Sequence, residues 1–144
     1  KAAKVVTGIN KKINKKFFKV MIDAAHCGDS DLSIAENEKV IKDLAKKDAL
    51  GIFHASAKTT RGCLSTDDGW IGALLAAYAP TGKLKHVFVE LFHHQDPALA
   101  PLRKAVKGHG VNTTDGRTYN KAVTDGVIDV AHRLNNLAAR KLIK

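Results

Sequence analysis

No stretch of this chain is apolar over the roughly 18 residues that a membrane-spanning helix needs, so no such helix is expected. Proline is scarce, with three in 144 residues, and these fall at Pro80, Pro97 and Pro101, leaving long segments free of breakers. Two cysteines are too few for a disulfide-built miniature fold. Acids are missing altogether from the first 22 residues, where Lys1, Lys4, Lys11, Lys12, Lys15, Lys16 and Lys19 precede Asp23. Also absent are a phosphate-binding glycine motif, a Gly-x-Ser-x-Gly elbow and the loop spacing of a calcium site. These absences exclude most motif-defined enzyme classes, and the expectation is a non-enzymatic protein without a cofactor.

What is present is ordinary globular composition, 44% apolar and 26% charged, with a formal net charge of +10. The length suits one domain, residues 1–144. The basic excess would draw the chain toward anionic lipid, polysaccharide or an acidic protein surface. An interfacial role for the Lys-rich first helix is one such reading. Nucleic acid is not an expected partner, because the basic face lacks interleaved aromatics and no reading module is visible.

Apolar spacing points to helices. Val6, Ile9, Ile13, Phe17, Val20 and Ala24 predict a first helix over about Ala2 to His26. Ser33 and Glu36 form a capping box that opens a second, carrying Val40, Ile41, Leu44, Ile52 and Ala55, with a bend where Asp48 and Gly51 interrupt it. Trp70, Ile71, Leu74, Leu75 and Tyr78 stripe a third, begun after Ser65 or Thr66 and stopped by Pro80 and Gly82. Leu84, Val87, Phe88, Leu91 and Phe92 stripe a fourth, over about Lys83 to His94. Asp96 reads as an N-cap with Pro97 behind it. Tyr119, Val123, Val127, Val130, Leu134 and Leu137 form the seam of a last helix from about Thr118 to Leu142. The fold class expected is all-α, an antiparallel bundle of about five helices.

Chemistry-bearing residues are few. His86, Glu90 and His94 would share one side of the fourth helix, but they lack a further ligand, and no metal site is assigned. Adjacent His26 and Cys27 do not face each other on a helix, so the pair is not a catalytic dyad. Cys27 and Cys63 are the candidate disulfide, closing a loop of about 35 residues that chain entropy would value at roughly 3–4 kcal/mol. Asn112-Thr113-Thr114 is an N-glycosylation pattern in a polar loop. The cysteine pair, the sequon and a chain that begins at Lys1 point to a secreted protein.

Within Leu64 to Phe92 come a Leu-Ser-x-x-Asp helix start, a Leu/Ala run, a proline between helices and a Val/Leu/Phe helix, in that order. In this the chain resembles the fungal hydrophobic surface-binding protein A family, which includes the lipid-binding domains of cell-wall galactomannoproteins. The resemblance implies a secreted or cell-wall helical bundle that holds fatty acids or other apolar ligands between its helices, or adheres to hydrophobic surfaces. It implies Leu74, Tyr78, Val87, Leu91, Val123, Val127 and Val130 as lining residues, with Lys83 or Arg133 meeting a carboxylate headgroup. The alternative function is a secreted, effector-like protein whose basic first helix docks an acidic host partner or an anionic membrane surface.

Overall fold

The computed structural model describes residues 1–57, 69–91, 93–105 and 116–144. Cys63, Asn112 and the expected helix start at Ser65 or Thr66 lie outside them. The all-α bundle is overturned: the chain is mixed α/β, built on a three-stranded parallel sheet in the order β1-β2-β3. Along the chain come α1 (Ala2–Lys12), β1 (Val20–Asp23), α2 (Ala24–Gly28), α3 (Ile34–Lys46), β2 (Leu50–Ala55), α4 (Trp70–Tyr78), β3 (Val87–Val89), α5 (Ala100–Ala105) and α6 (Tyr119–Ala139).

Each strand was hidden inside an expected helix. Val20–Asp23 sits in the expected first helix, Leu50–Ala55 in the second and Val87–Val89 in the fourth. Strands of a parallel sheet read as short continuous apolar runs rather than as alternation. Over such lengths helical spacing and strand burial cannot be told apart. β-Branched and aromatic residues decide the matter here: Val20 and Ile22, Ile52 and Phe53, then Val87, Phe88 and Val89 all favour the pleated surface.

The helix signals with explicit caps held. Ser33 accepts from the Glu36 N–H while the Glu36 carboxylate accepts from the Ser33 N–H, a complete capping box on α3. These hydrogen bonds from Ser33 hold the Glu36 carboxyl below its ordinary range. α3 ends at Lys46, and Asp48 takes a left-handed φ of 53° to start β2. Asp96 accepts from the Ala98 N–H ahead of a 3-10 turn over Pro97–Leu99, and Thr118 caps α6. α4 closes in a 3-10 turn over Ala79–Thr81, after which Gly82 adopts a φ of 68° that a side chain would disfavour.

The core lies against one face of the sheet. Val20, Ile22, Phe53, Ala55, Val87 and Val89 turn toward α4, whose Ile71, Leu74, Leu75 and Tyr78 are wholly buried, and toward Ile41 and Leu44 of α3. α6 presents Ala122, Gly126, Val130 and Leu137 inward, so its seam runs along small residues rather than through Val127, which is exposed. The opposite sheet face carries Met21, Ile52, His54 and Phe88 and is only partly covered, Met21 and Phe88 being exposed. Among the described residues no helix is long and apolar enough to cross a membrane.

Tyr78 ties α4 to the central strand. Its ring packs edge-on against Phe53 at 6.2 Å, and its hydroxyl donates to the Gly51 carbonyl at 2.9 Å. Burial pushes the phenol up to about 12. Unfolded tyrosine ionises near pH 10, so this stabilisation is whole below about pH 10 and drains by about 1.4 kcal/mol per unit as pH rises toward 12. Tyr78→Phe is therefore expected to flatten the alkaline fall in Tm relative to the wild type; parallel curves would contradict a buried, neutral phenol.

Candidate metal centre

Three apolar runs end in side chains that can ligate a metal: Val-Met-Ile-Asp, Gly-Ile-Phe-His and Val-Phe-Val-Glu. The parallel sheet lays those ends side by side. Asp23 pairs with His54, and His54 pairs with Phe88, so the three side chains share a face. Glu90 lies two residues past Phe88 and is held in line by its N–H, which donates to the Ala55 carbonyl. The result is a cluster of Asp23, His54 and Glu90 whose ligating atoms all lie within 4.8 Å of one another.

His54 stands between the two carboxylates. His54 Nδ1 is 3.6 Å from Asp23 Oδ2 and 4.0 Å from Glu90 Oε2, both beyond hydrogen-bonding distance. That Nδ1 is buried and has no hydrogen-bond partner. A buried polar atom without a partner is costly, and native structures seldom keep one. Bonds of 2.0–2.2 Å in a tetrahedral zinc site place ligand atoms about 3.4 Å apart, so the His54–Asp23 separation of 3.6 Å nearly fits while Glu90, at 4.0 Å from His54, would have to draw in.

Support comes from the surrounding shell. Asp23 is 6% exposed and ends β1 while capping α2, its Oδ1 accepting from the His26 N–H at 3.1 Å. One carboxylate oxygen is thereby fixed and the other turned to His54, the orienting role an outer shell plays at metal sites. The Phe88 ring lies 5.7 Å from the His54 ring and shields one side of it. Glu90 is the most exposed of the three and marks the open side.

The sequence-derived candidates fall elsewhere. His86, Glu90 and His94 do not gather: with β3 between them, His86 and Glu90 sit at opposite ends of a strand, roughly 13 Å apart at strand rise. Only Glu90 joins the cluster. Nearby His93 is buried and structural; its Nδ1 accepts from the Gln95 N–H, so its Nε2 donates to the Arg117 carbonyl at 3.0 Å. Cys27 is a free, half-buried thiol rather than half of a disulfide with Cys63. Burial, and then the charge of Asp23, push that thiol up, which leaves it protonated and unreactive near neutrality.

Of the residues implied as ligand-lining, Leu74 and Tyr78 are fully buried in the core, and Val130 is buried on α6. Val87, Leu91 and Val123 are half-buried, and Val127 is 53% exposed. Lys83 and Lys19 both pair with Asp48, which holds the Asp48 carboxyl below its usual range, and Arg133 pairs with Asp129 at 2.7 Å.

No family model, curated protein or solved structure matches the chain.

Proposed function

We propose that this is a metal-dependent hydrolase whose divalent ion, zinc by donor type, is held by Asp23, His54 and Glu90. The observation that carries the reading is the buried His54 Nδ1, without a hydrogen-bond partner and turned toward two carboxylate oxygens. Imidazole suits zinc, and the two oxygen donors also admit manganese. Three protein ligands leave a coordination position open, the pattern of catalytic rather than structural zinc. An ion so held supplies a bound water of lowered pKa and polarises a carbonyl or phosphoryl oxygen.

The chain's own residues have separable parts. Asp23, locked by the His26 amide, fixes the inner edge of the site. Glu90, the most exposed of the three, closes the site on its open side. Phe88 offers an apolar wall next to the site. A net charge of +10 favours an anionic ester or amide as substrate.

Calorimetric titration of chelator-treated protein with Zn²⁺, and separately Mn²⁺, tests this. One equivalent is expected to bind, and His54→Ala is expected to weaken binding by at least about a hundredfold. No binding, or unchanged affinity in the variant, would sink the proposal. Hydrolysis of an anionic aryl ester by the zinc-loaded but not the metal-free protein would then test the chemistry. A lipid carried through purification, seen by native mass spectrometry, would instead favour the apolar-ligand carrier that the family resemblance implied.

A further inference from the structure

The amino-terminal segment takes no part in the metal centre. α1 buries none of its residues. Val5, Ile9 and Ile13 recur every fourth position, so they line one side of the helix, and they are 60%, 37% and 44% exposed. Just beyond, Phe17 and Phe18 are 73% and 45% exposed, their rings edge to face at 5.1 Å.

This aromatic tip is built rather than trailing. Asn10 Oδ1 accepts from the N–H groups of Phe17 and Phe18 at 3.1 and 2.9 Å, and its Nδ2 donates to the Phe18 carbonyl at 2.7 Å. Three hydrogen bonds from one helical side chain thus fold the segment after α1 back and present two phenyl rings to solvent. The same segment carries Lys1, Lys4, Lys11, Lys12, Lys15 and Lys16, all exposed, with no acid before Asp23. Lys47 of the α3 C-cap lines a shared hollow with Lys11, Lys15 and Lys16 and extends the basic surface.

Exposed apolar side chains on a lysine-rich, acid-free segment ask for a partner that is negatively charged outside and apolar within. We propose that residues 1–18 dock the protein on anionic phospholipid bilayers, the lysines pairing with headgroup phosphates while Phe17, Phe18 and the Val5–Ile9–Ile13 stripe enter the headgroup–acyl boundary. The charge complementarity is that of interfacial amphipathic helices. An acidic protein would match the lysines but would need a matching cavity for Phe17, which stands largely clear of its own protein; a fluid boundary needs none. The docking element is independent of the metal centre and stands or falls without it.

Co-sedimentation of the full chain with phosphatidylglycerol vesicles, against phosphatidylcholine vesicles, tests the docking. Binding is expected to the anionic vesicles alone and to fall steeply with added salt. Phe17→Ser combined with Phe18→Ser, both at exposed positions, should keep the wild-type circular dichroism and lose roughly tenfold or more in partitioning. Asn10→Ala, which frees the tip without removing charge or ring, should give a smaller loss. Equal pelleting with both lipids, no pelleting, or undiminished binding by the double serine variant would each overturn the proposal. So would a solution dimer that those two substitutions abolish in a protein that ignores vesicles, which would assign the face to a second copy.

Discussion

Asp23→Asn is expected to abolish tight zinc binding while leaving the apo fold as stable as the wild type or more so. The two oxygens of Asp23 do different work. Oδ1 caps α2 by accepting from His26, and asparagine is as good a cap as aspartate. Oδ2 faces His54 Nδ1 at 3.6 Å, and an amide NH₂ in its place replaces a charge with a neutral group that a small shift would let donate to that nitrogen. Asp23→Ala loses both roles and should cost about 1 kcal/mol for the cap in addition. Thermal unfolding with and without Zn²⁺ separates the cases. Wild type should gain about 2.7 kcal/mol at a hundredfold excess of free zinc over Kd, and neither variant should gain anything comparable. An Asp23→Asn protein that zinc stabilises as much as the wild type would remove Asp23 from the ligand set.

The second large effect is in the core. Phe53→Ala should destabilise the protein by about 3–5 kcal/mol, from lost transfer energy and the cavity left behind. Phe53 is wholly buried in the central strand, flanked by β1 and β3, and holds the Tyr78 ring edge-on. Aromatic pairs of this kind add about 0.5–1.5 kcal/mol beyond burial. Domains are stable by only about 5–15 kcal/mol, so much of the margin would go. Urea unfolding reads this as a lower midpoint at an unchanged slope. A loss under about 1 kcal/mol would mean that β2 does not sit at the centre of a packed core. Zinc, if it binds only the native state, should restore part of the loss.

The elements legible in the sequence were those with local punctuation. The Ser33–Glu36 box, the Asp96-Pro97 turn, the Pro80–Gly82 stop and the Thr118 start all act within a few residues and were found where they occur. The strands were not legible because their evidence is distant. Leu84, Val87, Phe88 and Leu91 satisfy helical spacing by themselves, and what makes Val87–Val89 a strand is a ladder to Phe53, His54 and Ala55. Losing the sheet also hid the site. Glu90 was grouped with His86 and His94 because four-residue spacing makes neighbours on a helix; on a strand the same spacing separates them. The legible signal lay in the run endings, Asp23, His54 and Glu90, each closing a β-prone apolar stretch at the same end of its strand.

The parallel register also gives the metal centre a place in time. About thirty residues of chain separate Asp23 from His54, and rather more separate His54 from Glu90. Each ladder therefore forms only after a long loop has closed, an entropy that local helices never meet. α3 and α4 can form beforehand from their own sequence, but the three donors converge only when both ladders are complete. An ion bound there would act as a latch on a finished sheet, absent from every partly folded chain and slowing the return to one.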